Sequence, residues 1–342
     1  MRFGEKLVQY LDSDAEVGVV TAKGEKILGD VVLAADGPRS LARQLVLGLP
    51  DNKVNSGYAI YRTFFTLTEH RKNPLLTEFC DPNKDMTRMW VGTDLHGIID
   101  TWNRGRDIGW VLTHKVCPLL PLDNHDIGDS WSFPGRKEDV LGYLENGWDE
   151  RFKEVVGQTP EKQLVDYKLV WREPLKTWLS GSARIAVIGD AAHCHLPSSG
   201  QGGAQALEDG VAIALALQRA NGDVPLALRV FERIRFNRSH MSSVTNRDDY
   251  HRVVWTPEFV KDHPGALSIP CMDWIMEHDA RANAEEHFDY LAADVRNDRP
   301  GTIKHLALPA GGSYLSIRDE GVKGSNPEIT EKHVTQVLVL DV

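Results

Sequence analysis

The sequence predicts an α/β fold that combines buried parallel strands with an antiparallel sheet and C-terminal helices. Residues 31–35 and 184–188 are apolar at nearly every position, as expected for strands covered on both faces in a parallel sheet. Residues 58–133 contain several strand-like segments separated by Gly, Asp and Asn, which is typical of an antiparallel sheet. Residues 202–220 and 225–250 have the periodicity of helices.

The remaining elements follow in chain order. Residues 17–21 and 26–28 are separated by turn-forming residues and predict a β-hairpin that leads into the first buried strand. Helical periodicity predicts one helix over residues 138–156 and a further helical stretch over 272–293. The aromatic side chains of the antiparallel region either line a pocket for a flat organic ligand or form plain core. They include Trp90, Trp102, Trp110 and Trp131.

Composition excludes several classes of function. The chain has 342 residues with 39 Lys+Arg against 49 Asp+Glu, so its formal net charge is −10 and no basic cluster is available for a phosphate backbone. We therefore expect no nucleic-acid partner. Four scattered cysteines, no signal-peptide pattern and no long apolar run predict a cytoplasmic protein with no membrane span. The oligomeric state stays unknown.

The most informative segment is residues 185–210, IAVIGDAAHCHLPSSGQGGAQALEDG. Asp190 follows a buried strand, at the sheet end where α/β proteins place ligand contacts, and its carboxylate can accept hydrogen bonds from hydroxyls. Gly200, Gly202 and Gly203 remove side chains where a helix begins, so the backbone can approach an anionic ligand. The alternative interpretation is a flexible turn before a surface helix.

The same segment allows two further interpretations, which have less support. His193 and His195 lie two residues apart and could chelate a metal together with Asp190, but no further ligands at a recognisable spacing accompany them. Cys194 as a nucleophile is equally weak. The sequence contains no G-x-S-x-G, H-E-x-x-H, Walker A or C-x-x-C motif, so we expect neither a metal site nor a hydrolase or P-loop function.

Two motifs carry a resemblance to a known family. Residues 189–209 contain Gly-Asp-Ala-Ala-His, Leu-Pro, Gly-Gln-Gly-Gly and Glu-Asp in one order. This segment resembles the Gly-Asp flavin motif of the FAD-dependent aromatic-ring hydroxylases, the single-component flavin monooxygenases that include salicylate hydroxylase. Residues 35–43, ADGPRSLAR, are similar to the family motif Ala-Asp-Gly-x-x-Ser-x-x-Arg. The resemblance covers roughly residues 4–250, with weaker matches at 171–175 and 231–235.

The resemblance implies a set of cofactor-binding residues. Asp190 corresponds to the residue that binds the ribityl chain of FAD, and Asp36 and Arg43 to residues that hold the phosphate region or a passing NAD(P)H. Pro197 corresponds to a residue beside the flavin ring. The backbone at the pyrimidine end of the isoalloxazine corresponds to Gly200, Gln201, Gly202 and Gly203. A helix terminus there suits the negative charge of reduced flavin.

The resemblance also supplies one candidate catalytic residue. Tyr61-Arg62 is similar to a Tyr-Arg pair on the family's substrate sheet, which implies that Arg62 lies near the flavin or the substrate. Without the resemblance, an Arg packed across a sheet face is an equally good explanation. Many relatives carry Tyr-Pro where this chain has Asp100-Thr101.

The implied function is an FAD-dependent monooxygenase that hydroxylates a small aromatic or polyketide-like substrate with NAD(P)H and O2, through a flavin C4a-hydroperoxide. Family members open with a G-x-G-x-x-G unit that holds the pyrophosphate, and this motif does not occur here. We therefore expect an incomplete Rossmann-like FAD-binding domain. The alternatives are a truncated, catalytically inactive remnant that acts as a binding protein, and a flavin reductase or oxidase without hydroxylation.

The predicted domain organisation has a sheet inserted into the FAD-binding domain and a helical C-terminal segment. In chain order we expect a first segment of the FAD-binding domain, truncated at its N-terminus (1–50), the substrate-binding sheet domain (51–160), a second segment of the FAD-binding domain (161–222), the C-terminal helices (223–296) and an irregular tail (297–342).

Overall fold

The computed structural model divides into two compact units. The first contains Met1–Val54, Trp171–Arg247 and Pro270–Ser316, and the second contains Asn55–Val170, Asp248–Ile269 and Ile317–Val342. The domain boundaries given above stay a proposal. The structure describes residues 1–50, 54–67, 72–116, 133–145, 147–172, 175–195, 200–245, 257–262, 273–297, 304–308 and 338–341.

Strands predominate in the first half of the described chain, and helices follow β11. The strands are β1 (Leu7–Asp12), β2 (Val17–Thr21), β3 (Lys26–Leu28), β4 (Val32–Ala34), β5 (Val54–Thr66), β6 (Thr87–Gly92), β7 (Leu95–Trp102), β8 (Asp107–Lys115), β9 (Phe133–Pro134), β10 (Val165–Trp171), β11 (Ile185–Val187) and β12 (Leu338–Asp341). The helices are α1 (Leu41–Leu45), α2 (Lys137–Tyr143), α3 (Glu150–Gly157), α4 (Asp190–His193), α5 (Gly202–Arg219), α6 (Val224–Thr245), α7 (Pro257–Asp262), α8 (Asp273–Met276) and α9 (Ala280–Asn297).

The first unit contains two small sheets. The predicted hairpin is confirmed, because β2 and β3 pair antiparallel and β1 adds a third strand. Strands β4 and β11 pair in parallel, as predicted, with Ala34 opposite Val187. The expectation that both faces of β4 are covered is wrong at Leu33, which is 38% exposed. Only the face that carries Ala34 packs into the core of α5, α6 and α9.

The core of the first unit lies between these helices and β11. Small residues of α5, such as Ala212 and Ala216, are fully buried and allow close packing of α6 and α9. Phe231 of α6 and Phe288 of α9 fill the space beside them. This packing fixes the position of α5 and of its first turn.

The second unit is built on a seven-stranded sheet in the order β12-β6-β7-β8-β5-β10-β9. The antiparallel sheet predicted for residues 58–133 is confirmed by β5 to β8. Trp90 and Trp110 are fully buried, and each meets Phe152 of α3 edge to face, so they belong to the core. Trp102 is 42% exposed, and Trp131 lies outside the described residues.

Two of the helix predictions are wrong about continuity. The helix predicted over residues 138–156 is divided into α2 and α3, because Gly147 takes a positive φ of 75° and the Asp149 side chain accepts the Arg151 N–H at the start of α3. The stretch 272–293 is likewise divided, and Asp279 caps α9. Asp and Gly compete with helix continuation in this way, while apolar periodicity persists across the break.

The C-terminal tail contributes a strand to the sheet of the second unit. Leu338–Asp341, within the tail that was predicted to be irregular, forms β12 against β6. No helix in the described part of the chain is long and apolar enough to cross a membrane.

Candidate functional site

The candidate site begins where β11 ends. The N–H of Ile188 donates to the carbonyl of Ala34 at 3.0 Å, and the chain then turns at Gly189 into the single-turn helix α4. Gly189 has φ 56° and ψ −142°, a conformation that side chains disfavour strongly. A Cβ at Gly189 would also lie 3.3 Å from the Cβ of Ala206. The turn therefore requires glycine, and it places Asp190 at the carboxyl end of the parallel strand pair.

Asp190 is a half-buried carboxylate beside the start of α5. A Cβ built on Gly202 would lie 3.5 Å from Oδ1 of Asp190, so the carboxylate and the first turn of α5 are neighbours. Among the residues that the structure describes, none donates a hydrogen bond to Asp190. Its acceptor capacity is therefore available to a ligand hydroxyl.

The N-terminus of α5 presents backbone N–H groups beside this carboxylate. Gln201 is the N-cap residue, but its side chain makes no capping bond. The first-turn N–H groups of a helix have no partner within the helix, and they carry the positive end of its dipole. Gly200 has φ 61°, and a Cβ on Gly203 would meet no atom of the described residues within 4 Å. The predicted glycines therefore surround an open approach to this helix end.

Asp36 and Arg43 follow β4, at the carboxyl end of the parallel strand pair. Asp36 is exposed and accepts the N–H of Leu41 at 2.9 Å and the hydroxyl of Tyr10 at 3.5 Å. Arg43 is buried and donates through Nη1 to the carbonyls of Ala191 and Ala192, at 3.1 and 3.2 Å. Arg43 thus joins α1 to α4, and the cofactor contacts predicted for both residues stay predictions.

Pro197 lies outside the described residues, so its predicted place beside the flavin ring is untested. Cys194 has Nη1 of Arg172 at 3.7 Å from its sulfur, and burial raises the pKa of its thiol. A raised thiol pKa is the opposite of what an activated nucleophile needs.

A buried ionic cluster lies directly behind the site, and the sequence analysis did not identify it. Asp209 of α5 is fully buried and accepts from the N–H of Gly189, from Nε2 of His193 and from Nε of Arg235, all between 2.8 and 2.9 Å. Glu208 is paired with Arg235 and Arg238. The cluster connects β11, α4, α5 and α6 through charge-assisted bonds.

The same cluster sets the charges of its members. Burial alone raises the pKa of Asp209, but the hydrogen bond and charge of His193, together with Arg235, outweigh it, so the net pKa is lowered. Burial and the neighbouring His193 lower the pKa of His195 to about 3. Both imidazoles have partners inside the protein, since Nδ1 of His193 lies 3.1 Å from Nδ1 of His195, and Nε2 of His195 lies 3.1 Å from the carbonyl of Ser239.

Arg62 lies in the second unit, on the opposite face of the sheet from the aromatic core. Strand register places it beside Val111 of β8, which in turn lies beside Ile98 of β7. Its chain neighbour Tyr61 faces the core, where its ring stacks on His114 at 5.1 Å. The face of Arg62 is only partly covered in the described residues, and it carries both polar and apolar side chains (Met89, His96, Ile98, Asp100, Val111 and Thr113).

The residues of the first unit fit FAD. A ribityl chain carries hydroxyl donors, which an unoccupied acceptor such as Asp190 can bind. The pyrimidine end of the isoalloxazine carries carbonyls and an N1 that is anionic in the reduced state, which suits the open first turn of α5 at Gly202 and Gly203. Both requirements are met within one strand–turn–helix segment.

Comparisons with known proteins agree with this fit. A family model described as an FAD binding domain matches residues 151–223. The FAD-dependent monooxygenase fmqB of Aspergillus fumigatus is 32% identical over 335 residues, covering 92% of this chain and 78% of fmqB. The crystal structure of CtdE in complex with FAD and substrate 4 has a TM-score of 0.76 at 27% identity, covering 86% of this chain and 71% of CtdE.

A third relative extends the likeness to a known aromatic hydroxylase. The salicylate hydroxylase substrate complex has a TM-score of 0.67 at 25% identity, covering 89% of this chain and 72% of that protein. The chain therefore belongs to the FAD-dependent aromatic-ring hydroxylase family of flavin monooxygenases. It is an FAD-dependent enzyme, and the interpretation as an inactive remnant is not favoured.

Proposed function

We propose that this monooxygenase hydroxylates a small aromatic or polyketide-like substrate with NAD(P)H and O2. The observation that carries the proposal is the Asp190 carboxylate, without a donor among the described residues, beside the open N-terminus of α5. The likeness to salicylate hydroxylase, an enzyme named for an aromatic substrate, supports the substrate class. When bound, FAD accepts two electrons from NAD(P)H and activates O2, so that one oxygen atom enters the substrate and the other leaves as water.

The residues of the first unit bind and orient the cofactor. Asp190 accepts hydrogen bonds from the ribityl chain, and the backbone from Gly200 to Gly203 donates to the pyrimidine end of the ring. The helix terminus there stabilises negative charge on the reduced flavin. Asp36 and Arg43 hold the phosphate region or the incoming nicotinamide nucleotide, and Pro197 packs beside the ring.

Arg62 is proposed to act on the substrate from the sheet domain. A guanidinium presents several donors in a fixed plane, which suits a phenolate, a carboxylate or a carbonyl of an aromatic substrate. The apolar neighbours Val111 and Ile98 on the same face provide contact for a flat ring. Asp100, on the same face, distinguishes this chain from relatives with Tyr-Pro at this place.

FAD titration of the purified chain tests the cofactor site. We expect saturable binding by flavin fluorescence and visible absorbance, weakened at least about tenfold by Asp190→Ala, which is about 1.4 kcal/mol. Asp14→Ala is the matched control, because Asp14 is an exposed turn residue of the same unit. Equal affinities for the two variants would contradict the assignment of Asp190.

Turnover measurements test the reaction. With FAD present, we expect NAD(P)H oxidation and O2 uptake that are stimulated by an aromatic substrate, with one hydroxylated product per nicotinamide oxidised. Peroxide release in place of product would contradict hydroxylation and identify a flavin oxidase or reductase. A folded chain that binds no FAD at any concentration would refute the proposed function.

A further inference from the structure

The carboxylate of Asp209 holds three elements of the flavin site at once. Its Oδ2 accepts from the N–H of Gly189 at 2.9 Å and from Nε2 of His193 at 2.8 Å, and its Oδ1 accepts from Nε of Arg235 at 2.9 Å. These donors belong to the β11–α4 turn, to α4 and to α6, while Asp209 itself belongs to α5. Asp209 is fully buried, so its hydrogen-bond partners lie inside the protein.

The hydrogen bond from Gly189 links Asp209 to Asp190, the residue predicted to bind the ribityl chain. Gly189 immediately precedes Asp190 and has a positive φ. Because glycine can adopt many other conformations, some interaction must favour this one. The bond from the Gly189 N–H to Asp209 selects that conformation. The direction that the chain takes after β11, and with it the position of Asp190, therefore depends on Asp209 of α5.

The same carboxylate connects the turn to both histidines. Nε2 of His193 lies 2.8 Å from Oδ2 of Asp209, and Nδ1 of His193 lies 3.1 Å from Nδ1 of His195. Nε2 of His195 in turn lies 3.1 Å from the carbonyl of Ser239 in α6. A chain of polar contacts therefore runs from Asp209 through His193 and His195 to α6.

We propose that Asp209 is a positioning residue of the flavin site, which fixes the Gly189–Asp190 turn and the place of the His193 ring. His193 in turn contacts His195 and fixes the position of its ring. The Cβ of His195 lies 3.9 Å from the Cβ position of Gly202, at the start of α5. The effect of Asp209 on the cofactor is exerted through Asp190 and α5. This part of the inference rests on the proposed role of Asp190.

Asp209→Asn is the test variant, and Glu208→Gln is its matched control. Both substitutions remove one negative charge from adjacent positions of α5, and both break an ion pair with Arg235. Of these two carboxylates, Asp209 is the one that accepts from Gly189 and lies against His193. An asparagine side chain cannot accept from all three donors, since its amide nitrogen is itself a donor.

The first readout is amide hydrogen exchange at Gly189, observed without FAD by NMR of protein labelled with 15N-glycine. The Gly189 signal is assigned in protein that also carries 13C-isoleucine, by its loss in Ile188→Val. We expect the Gly189 amide, which donates to Asp209, to be protected in the wild type and in Glu208→Gln, and to exchange at least about tenfold faster in Asp209→Asn. Rapid exchange of the wild-type Gly189 amide, or equal exchange in the two variants, would overturn the inference, whether or not the chain binds FAD.

The second readout is FAD affinity by fluorescence titration. We expect Asp209→Asn to raise the Kd at least about tenfold, and Glu208→Gln to leave it within about twofold. Both variants are expected to unfold at lower temperature, so a loss of stability alone does not separate them. Equal Kd values for the two variants would overturn the positioning role.

Failure of the inference is distinguishable from failure of the proposed function. If Asp190→Ala weakens FAD binding but Asp209→Asn does not, the inference is wrong and the flavin site stands. If Asp190→Ala has no effect, the proposed site is wrong. Should Asp209→Asn not fold, His193→Asn replaces it, because an asparagine at that position cannot bridge Asp209 and His195; an unchanged Kd in that folded variant would refute the positioning role.

Discussion

Gly203 and Gly210 of α5 offer a paired test of where the cofactor lies. Both glycines are exposed, both lie in the same helix, and a Cβ at either position meets none of the described atoms within 4 Å. Neither has a positive φ. An alanine at either position is therefore compatible with the folded chain, and it reduces the conformational entropy of the unfolded chain.

The expected effects of the two substitutions differ only at the ligand. Gly→Ala within a helix stabilises by roughly 0.5–1 kcal/mol, so Gly210→Ala should raise the free energy of unfolding by that amount and leave FAD affinity unchanged. Gly203→Ala should also be tolerated by the fold. Its methyl group, however, occupies the space through which the backbone approaches the isoalloxazine, and overpacking of this kind costs about 1–3 kcal/mol. We expect FAD to bind roughly tenfold or more weakly.

Urea unfolding without FAD and fluorescence titration with FAD measure the two effects separately. Wild type and both variants are compared at one ionic strength and temperature. If Gly203→Ala binds FAD as tightly as Gly210→Ala does, the first turn of α5 is not a cofactor contact and the site described above is misplaced. If both variants lose affinity equally, the effect comes from α5 as a whole.

Two further predictions concern the substrate contact proposed for Arg62 and the pH dependence of stability. Arg62→Ala should lower kcat/KM about 100-fold with an unchanged FAD Kd, and Arg62→Lys should recover part of the loss; equal steady-state rates for all three proteins would contradict a substrate contact. Burial lowers the pKa of His195 to about 3 and that of His240 to about 4. Because the unfolded chain then binds more protons than the folded chain below pH 6.5, stability should fall by about 1.4 kcal/mol per pH unit for each histidine as the pH drops from 6.5 towards 4. Urea unfolding at several pH values measures this slope, and a pH-independent midpoint would contradict it.

The features of the fold that were predictable depend on local pattern. The hairpin of β2 and β3 is specified by a turn between two short β-rich runs, and α5 by its periodicity after the Gly-rich loop. Strands β5 to β8 of the second unit also follow from strand spacing, whereas β10 and β12 were not predicted. The break between α2 and α3 was not predictable in this way. The short turn before Asp149, the N-cap of α3, leaves the apolar periodicity of the surrounding residues unchanged.

The candidate site was predictable only where its residues are consecutive. Asp190 and the glycines of α5 stand in one motif, so their type and order indicate a ligand. Asp209 stands in the same motif, and Arg235 in a second segment that resembles the family, but nothing local shows that they pair. Pairing across 26 residues depends on how α5 and α6 pack, which is a tertiary property.

In the proposed site, one short segment separates the binding role of Asp190 from the positioning role of Asp209. The two carboxylates have opposite surroundings, since Asp209 accepts from three protein donors with no exposure, whereas Asp190 is half-buried and has no donor among the described residues. A buried carboxylate without donors is costly, so Asp209 is stable only with its partners. No described group donates a hydrogen bond to Asp190. A ligand hydroxyl can therefore bind this carboxylate without first breaking a hydrogen bond within the protein. The saturated carboxylate can therefore maintain the turn, while the unsaturated one stays open to the cofactor.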